Sequence, residues 1–327
     1  MSRYKKLVLL HSNDMHGDFL TEKIDDKLVG GVSMLSGYVD KVRKEEPNTL
    51  YCIAGDMFRG SVIDSEYQGL STIEIMNALA PDVVTIGNHE TDYGVAYLLF
   101  LEKCAKFPII NANLFIRTNQ ARLFKPHLII EVDGMKILFI GILTEEVLSR
   151  TKHDGLIGSF VGINEAAAEV GRICNTYNAT DIDFTVLLTH IGFEEDKQLA
   201  AKLDPAWGVD VIIGGHSHTF LTEPAKVNDI LIVQAGTGTD QICRMFEPYA
   251  LLLEVIGYTP WMLEERLAIR KEVQEHNHDC KIVILVDDVA DKELANDVKK
   301  AKKDGLIDAF LFGSATDSYL AAMMDSL

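Results

Sequence analysis

The chain has 327 residues, of which 47% are apolar and 24% are charged, and this composition is typical of a folded globular protein. Its 31 basic and 49 acidic side chains give a formal net charge of −18. That charge opposes non-specific binding to DNA, RNA or an anionic membrane, so we expect neither nucleic acid nor a membrane as a partner.

The N-terminal segment and the cysteines bear on the cellular compartment. The apolar run at 7–10, which follows the basic N-terminus, is too short for the core of a signal peptide. No apolar run approaches the ~18 residues of a membrane-spanning helix. The five cysteines are scattered and show no Cys-x-x-Cys spacing. We therefore predict a cytoplasmic protein with reduced thiols.

Short apolar runs alternate with segments of helical periodicity along the first three quarters of the chain. The runs that predict buried strands are 7–10, 50–54, 83–86, 184–188 and 209–213. The predicted helices are 33–44, 72–79, 96–106 and 164–177, the last with Asn164 as its N-cap. This alternation predicts an α/β fold.

A hairpin signal interrupts the alternation. The apolar runs 128–132 and 135–140 flank Asp133-Gly134, a dipeptide that favours a tight turn between antiparallel strands. We therefore expect part of the sheet structure to be antiparallel.

The pattern changes after Cys243. The tail predicts a charged helix at 261–278, a strand at 281–286, a Lys-rich helix at 292–303, a strand at 307–312 and a last helix at 318–327. It shows none of the Asp, Asn and His turns described next, so we expect it to contribute no metal ligand.

Each of the five apolar runs is followed by Asp, Asn or His, which are residue types that commonly bind metals. In chain order these are Asp14 and His16, then Asp56, then Asn88 and His89, then His190, and finally His216 and His218. Ligands of open α/β sheets collect outside the carboxyl ends of the strands. Because all five strand ends carry such residues, we interpret them as one site rather than as unrelated surface or core histidines.

The chemistry of this set predicts two divalent ions. Imidazole and carboxylate ligands without thiolate favour Mn, Fe, Zn or Co. The ligands outnumber what one ion can use, whereas two ions sharing a carboxylate would use them. Paired ions suit in-line displacement at phosphorus, because they bind phosphoryl oxygens and activate water. The sequence thus favours a phosphoester hydrolase.

These motifs resemble those of the calcineurin-like metallophosphoesterases in order and spacing. The matching segments are Asp14-x-His16, Gly55-Asp56, Gly87-Asn88-His89-Glu90, Thr189-His190 and Gly215-His216-Ser217-His218. Flanking segments such as His11-Ser-Asn-Asp-Met-His-Gly and Val233-Gln-Ala-Gly resemble the 5′-nucleotidase and UDP-sugar hydrolase branch. The resemblance implies a sandwich of two mixed β-sheets flanked by helices. It implies a catalytic domain at 1–245 and leaves 246–327 as an extension of unknown role.

The resemblance also implies a role for each matching residue. One ion would be held by Asp14, His16, Asp56 and His218, and the other by Asp56, Asn88, His190 and His216. His89 would stabilise the phosphoryl group or protonate the leaving oxygen. Asp92 would orient and polarise His89, because a histidine needs a carboxylate partner to fix its tautomer. Asn88 would also lie beside the phosphate.

Several further residues carry weaker signals. Arg59 is a candidate substrate-binding residue, with a surface role as the alternative. His11 is expected in the core or behind the ligands. Asn111 and Asn113 are expected to support the site from behind. His276 and His278 are expected at a solvated helix end rather than at a metal.

The sequence therefore predicts hydrolysis of a small phosphomonoester, with nucleoside monophosphates or nucleotide sugars favoured and a role in nucleotide catabolism. One alternative is a phosphodiesterase acting on cyclic or linear diesters. Another is a metal-binding regulatory or scaffold protein without turnover. The tail is too short for the base-binding domain of two-domain relatives, so we expect little discrimination between leaving groups. The oligomeric state stays open.

Overall fold

The computed structural model describes residues 6–24, 27–145, 161–177, 182–239, 243–245, 251–256, 281–286, 292–307 and 309–312. The chain divides into two compact units, Met1–Met245 and Phe246–Leu327. Within the described ranges, no helix combines the length and apolar character that crossing a membrane requires.

The first unit alternates strands and helices along most of its length. Its strands are β1 (Val8–Ser12), β2 (Glu22–Ile24), β3 (Lys27–Val29), β4 (Thr49–Ala54), β5 (Val83–Thr85), β6 (Ile109–Ile110), β7 (Leu114–Ile116), β8 (His127–Val132), β9 (Met135–Leu143), β10 (Val161–Ile163), β11 (Phe184–His190), β12 (Val211–Ile213), β13 (Ala225–Val227), β14 (Ile230–Val233) and β15 (Cys243–Met245). Its helices are α1 (Val32–Glu45), α2 (Val62–Glu66), α3 (Leu70–Leu79), α4 (Val95–Cys104), α5 (Ala166–Thr176) and α6 (Phe193–Lys202).

Two mixed sheets form the centre of this unit. The first sheet has the order β15-β1-β4-β5-β6, in which β15 is antiparallel to β1 and the other neighbours are parallel. The second has the order β13-β14-β12-β11-β9-β8, with parallel pairing from β14 to β9 and antiparallel edges. The α/β sandwich of two mixed sheets predicted from the sequence is therefore confirmed.

The buried apolar side chains explain why the sheets stack. Side chains alternate across a strand, so Leu9 faces the layer shared by the two sheets while Val8 and Leu10 face the opposite side. Phe139 of β9 meets Leu9 in the shared layer, and Ile140 lies on the outer side. Helices α1, α3 and α4 cover the outside of the first sheet, and α5 and α6 cover the outside of the second.

The predicted elements occur with small shifts at their ends. All five predicted buried strands are present, and Asp133-Gly134 joins antiparallel β8 and β9. The prediction of Asn164 as an N-cap is wrong. The cap of α5 is Glu165, whose carboxylate accepts a hydrogen bond from the Ala168 N–H at 2.7 Å, while Asn164 donates to Glu169.

The second unit holds three parallel strands and a helix in its described part. They are β16 (Leu251–Ile256), β17 (Lys281–Val286), α7 (Lys292–Lys303) and β18 (Ala309–Phe312), with the sheet order β16-β17-β18. β17 and α7 match the prediction, β18 begins two residues later, and β16 was not predicted. The predicted helices at 261–278 and 318–327 lie outside the described residues. Asp287 and Asp288, which come next in the sequence after β17, lie outside the described residues, so the expectation that the tail contributes no metal ligand stays a prediction.

Candidate metal centre

The metal-binding side chains predicted from the sequence converge at the carboxyl ends of both sheets. β1, β4 and β5 supply one set and β11 and β12 supply the other. Three groups of possible ligand atoms each lie within 4.8 Å: Asp14, His16 and His218; His16, Asp56 and His89; and Asp56, His190 and His216. Because the groups share members, the site is continuous. We call Asp14, His16 and His218 the open half, and Asp56, Asn88, His190 and His216 the buried half.

The open half is built around a buried carboxylate. Asp14 is fully buried, and its Oδ1 lies 3.4 Å from His218 Nε2 and 3.8 Å from His16 Nε2. The two Nε2 atoms lie 3.0 Å apart. His16 Nδ1 donates to the carbonyl oxygen of Arg59 at 3.1 Å, which directs its Nε2 into the site. The hydrogen bond with Asp14 raises the pKa of His218, whereas burial lowers the pKa of His16.

The buried half is arranged around His190, which is fully enclosed. Its Nδ1 donates to the carbonyl oxygen of Ala54 at 2.8 Å, and its Nε2 lies 3.1 Å from Asp56 Oδ2 and 3.2 Å from Asn88 Oδ1. His216 Nδ1 lies 2.7 Å from the same amide oxygen. Burial lowers the pKa of His190, but the Asp56 carboxylate outweighs it and raises the pKa to about 9. Against its own burial, Asp56 has a pKa held below the usual range by His190.

These atoms fit a divalent cation. His190 Nδ1–H donates a hydrogen bond to the carbonyl oxygen of Ala54. In the neutral ring, the lone pair on Nε2 therefore faces the oxygens of Asp56 and Asn88. His16 faces His218 in the same way. Without a cation, these lone pairs and oxygens repel one another unless a ring nitrogen binds a proton. The raised pKa of His190 shows that the site favours a positive charge. Imidazole, carboxylate and amide oxygen are the ligands that Mn, Fe, Zn and Co share.

Strained backbone carries most of these ligands. Left-handed φ angles occur at Asp14 (49°), His16 (51°), Asp56 (51°), His216 (81°) and His218 (52°). Such conformations cost free energy in residues other than glycine and persist where surrounding contacts over-determine them. The Asp14 N–H donates to Gly55 at 3.0 Å and the His16 N–H to Asp56 at 3.0 Å, so β1 and β4 continue to contact each other beyond their ends.

Two glycines permit the close approach of these loops. A Cβ atom on Gly87 would lie 2.2 Å from Asp56 Oδ1, and one on Gly215 would lie 2.5 Å from the carbonyl oxygen of Ala54. Neither contact is possible for a side chain without moving the ligands. The glycines in both motifs are therefore required by packing around the metal centre.

His89, Asp92 and Arg59 lie beside the ligands and are linked to one another. His89 Nδ1 lies 2.5 Å from Asp92 Oδ2, as the sequence predicted for an orienting carboxylate. Arg59 Nη1 donates to the same oxygen at 3.0 Å, while 57% of the Arg59 side chain stays exposed. Arg59 therefore contacts the His89–Asp92 pair. Substrate binding by Arg59 stays a prediction.

Glu90 is a supporting residue whose role was not predicted from the sequence. Its buried carboxylate accepts hydrogen bonds from the backbone N–H groups of Asp56, Met57, Phe58 and Gly87. It thereby ties the loop after β4 to the loop after β5. Burial and the neighbouring Asp56 raise the pKa of Glu90 to about 7. Its position inside the Gly-Asn-His-Glu motif was the available signal.

Asn13 and Gln234 hold the outer loops in place. Asn13 donates to Asp14 Oδ2 at 2.6 Å and to Gly236 at 2.7 Å, which ties β1 to the loop after β14. Gln234 Oε1 accepts from the Ser217 hydroxyl at 2.9 Å and from the Thr219 N–H at 2.8 Å. These contacts flank His218, so Gln234 positions a ligand of the open half.

Asp196 lies behind the buried half. Its Oδ1 accepts a hydrogen bond at 2.6 Å from the hydroxyl of Thr189, the residue that precedes His190 in the chain. Burial raises the pKa of Asp196 to about 8, so the carboxyl group is neutral at physiological pH. No sequence signal distinguished this aspartate from the solvated acids of the same helix.

The remaining candidates do not reach the ligands directly. His11 is fully buried, and neither ring nitrogen has a hydrogen-bond partner among the described residues. Burial lowers its pKa to about 3, as for a neutral core histidine. Asn113 exchanges two hydrogen bonds with Leu143, at 2.8 and 2.9 Å, and Asn111 accepts from the Leu114 N–H at 2.8 Å. His276 and His278 lie outside the described residues.

Comparison with known proteins gives one consistent family. A sequence profile described as calcineurin-like phosphoesterase matches residues 7–220. The chain is 36% identical to 5′-nucleotidase of Mus musculus over 228 residues, which cover 66% of this chain and 38% of that protein. It is 32% identical to a snake venom 5′-nucleotidase of Crotalus adamanteus over 253 residues, or 71% of this chain and 42% of the relative. The chain thus spans about two fifths of the length of these relatives.

Solved structures agree with this result. The crystal structure of a 5′-nucleotidase precursor from Thermus thermophilus superposes with a TM-score of 0.64 at 28% identity, covering 73% of this chain and 50% of that chain. A calcineurin-like phosphoesterase from Bacillus subtilis superposes with a TM-score of 0.62 at 25% identity, covering 73% and 83%.

Proposed function

The chain belongs to the calcineurin-like phosphoesterase family, and on that premise we propose that it hydrolyses small phosphomonoesters. Nucleoside monophosphates and nucleotide sugars are the leading substrates. Similarity to 5′-nucleotidases supports this choice, although the matched region covers 38% of the mouse enzyme. The substrate is therefore part of the proposal.

The observation that carries the proposal is the juxtaposition of a ligand set with an acid–base pair. Histidine, carboxylate and amide groups from five strand ends surround one continuous site, and the His89–Asp92 pair borders it. A protein that merely stores or senses a metal needs no such pair. This favours hydrolysis over the non-catalytic alternative.

The chain's own residues would act in the following way. Asp92 accepts a hydrogen bond from the Nδ1–H of His89 and favours the imidazolium form, whose Nε2–H would contact a phosphoryl oxygen or protonate the leaving oxygen. The Asn88 amide, whose oxygen lies beside His190 and His216, would also lie beside the substrate phosphate. Arg59, held by Asp92 with most of its side chain exposed, adds a positive charge at the same edge.

We propose two divalent ions as cofactors, drawn from Mn, Fe, Zn and Co. Asp14, His16, Asp56 and His218 would hold one ion, and Asp56, Asn88, His190 and His216 the other. Ions bound there would supply positive charge for the phosphoryl oxygens and a nucleophile from water at neutral pH.

A kinetic panel tests the proposed reaction. Protein loaded with Mn²⁺, Co²⁺ or Zn²⁺ would be assayed with a nitrophenyl monoester, a nitrophenyl diester, several nucleoside monophosphates and a nucleotide sugar. We expect kcat/KM values within about tenfold across the monoesters, which corresponds to roughly 1.4 kcal/mol of discrimination.

Three outcomes would contradict the proposal in different ways. A preference of a thousandfold or more for one nucleotide would require a specific base pocket. Faster cleavage of the diester than of every monoester would favour the phosphodiesterase alternative. Absence of turnover with every loaded ion would favour the regulatory or scaffold alternative.

A further inference from the structure

Asp64 is a fully buried carboxylate next to the site that plays no part in binding the ions. Its Oδ2 accepts hydrogen bonds from the Arg59 N–H at 2.8 Å and from the Tyr93 hydroxyl at 2.8 Å. Its Oδ1 accepts from the Thr72 hydroxyl at 2.5 Å. Burying an ionisable group costs free energy unless its hydrogen-bonding atoms are paired, and these three donors pair both oxygens.

The hydrogen bond from the Arg59 N–H to Asp64 holds Arg59 in a strained backbone conformation. Arg59 has a left-handed φ of 63°, which a residue with a side chain adopts only where contacts enforce it. The Asp64 carboxylate holds its N–H from one side. On the other side the Arg59 carbonyl oxygen accepts the Nδ1 proton of His16 at 3.1 Å. The N–H and the carbonyl group lie on either side of the Arg59 Cα, so the left-handed backbone of Arg59 relates the Asp64 contact to the choice of which His16 nitrogen faces the metal centre.

The Arg59 side chain continues the connection to the acid–base pair. Its Nη1 contacts Asp92 Oδ2 at 3.0 Å, and that oxygen lies 2.5 Å from His89 Nδ1. The neighbouring residue, Tyr93, is held by Asp64 as well. Burial and the hydrogen bond to Asp64 raise the pKa of Tyr93 to about 12, so its hydroxyl remains a donor at neutral pH.

We propose that Asp64 is a positioning residue that orients His16 and the His89–Asp92 pair together, through the backbone of Arg59 and through Tyr93. It is not among the grouped possible metal ligands and does not belong to the acid–base pair. The part that concerns turnover rests on the proposed phosphoester hydrolysis, whereas the part that concerns His16 does not. The carbonyl partner of a metal-binding histidine sets its tautomer and basicity, and loss of such partners lowers ion affinity about 10–100-fold.

The three hydrogen bonds to Asp64 provide a matched control. Thr72 lies on α3 and bonds the same carboxylate, but its bond does not lead to the site. Thr72→Val therefore removes one bond to the carboxylate without releasing Arg59 or Tyr93. Asp64→Ala removes all three bonds. Asp64→Asn keeps the shape and one acceptor oxygen, so it should have an intermediate effect.

The experiment measures Mn²⁺ affinity by calorimetry, kcat and KM for a nitrophenyl monoester, and melting temperature, all on the full chain. We expect Asp64→Ala to lower Mn²⁺ affinity and kcat each by about tenfold or more, and Asp64→Asn by less. Thr72→Val should lower the melting temperature while Mn²⁺ affinity and kcat stay within about twofold of wild type.

Two results would overturn the proposal. One is Asp64→Asn and Asp64→Ala both retaining wild-type Mn²⁺ affinity and kcat. The other is Thr72→Val producing the same losses as Asp64→Ala, which would reduce Asp64 to a folding role. If Asp64→Ala does not fold, the comparison of Asp64→Asn with Thr72→Val still separates a positioning role of Asp64 from a folding role. If no ester is hydrolysed at all, calorimetry still decides the effect on His16, because ion affinity does not depend on turnover.

Discussion

The buried half and the open half of the site use the same kinds of side chain under different conditions. His190 is completely enclosed and its ring is fixed by the carbonyl oxygen of Ala54, whereas 46% of the His218 side chain is exposed. Charges interact more strongly away from water, and accordingly the pKa of His190 is raised to about 9 although its ring is buried. The difference teaches that the buried half is shielded from water while the open half is accessible to it, and we propose that the buried half binds its ion more tightly.

The largest effect should follow from removing the centre of the buried half. We expect wild-type protein to bind two ions about 3.5–4 Å apart and His190→Ala to bind one, retained in the open half. The loss in kcat/KM should exceed the upper end of the about 10²–10⁴-fold range of positioned acids and bases. Metal analysis and a structure of loaded protein check both numbers. A single ion in wild-type protein, with His190 and His216 unengaged, would break the comparison.

The next effect separates ligands from the acid–base pair. His89→Ala should retain both ions and lose about 10²–10⁴-fold in kcat, because His89 acts on the substrate rather than on the ions. This is a sharp test, since His89 also lies within ligand distance of His16 and Asp56. Ion content and single-turnover rates are measured together. Should an ion be lost along with activity, His89 is a ligand and the division between the halves is wrong.

A smaller effect on ion binding is expected when a residue that supports His218 in the open half is replaced. Gln234→Leu removes the acceptor of the Ser217 and Thr219 bonds that flank His218. We expect ion affinity to fall about 10–100-fold, with activity restored by excess ion because this half is open. Stepwise calorimetric titration with Mn²⁺ identifies the weakened step. If the weakened ion is the one in the buried half, Gln234 supports His216 rather than His218.

The smallest effect concerns pH and the residue behind the buried half. The pKa of Asp196 is raised to about 8 by burial, above the value of about 3.9 expected in the unfolded chain. The folded state therefore holds a proton that the unfolded state releases, and the free energy of unfolding decreases as pH rises from about 4 to 8. The slope should approach about 1.4 kcal/mol per pH unit, the value for a difference of one bound proton.

Asp196→Asn tests this prediction, because an amide cannot titrate. Relative to wild type, the variant should gain stability between pH 5 and 8 and show a constant difference above about pH 8. Urea unfolding at several pH values measures it. Parallel pH profiles of the two proteins over that window would show that Asp196 is ionised in the folded state.

Much of the fold could be predicted because its signals are local. An apolar run followed at once by a polar turn marks β1, β4, β5, β11 and β12, and Asp133-Gly134 marks the β8–β9 hairpin. The Asn164 cap failed because the helix begins one residue later than the prediction requires, so Glu165 caps it and Asn164 donates a hydrogen bond to Glu169 instead. β16, whose run Leu251–Ile256 is apolar except for Glu254, was not predicted.

The sequence by itself indicated which residues form the candidate metal centre, because each of them lies at the end of a strand or a few residues beyond it, and strand and turn are encoded together. The family resemblance implied which of these residues share an ion, and the tertiary structure supplies the physical reason. His16 and His218 are separated by 202 residues, and His190 and Asn88 by 102, yet the order of strands in two stacked sheets brings each pair together. The same holds for Glu90, Gln234 and Asp64, whose partners are backbone groups and hydroxyls without a sequence signature. Burial, which raises the pKa of His190 and Asp196, is likewise a property of the packed sheets and helices and not of any segment alone.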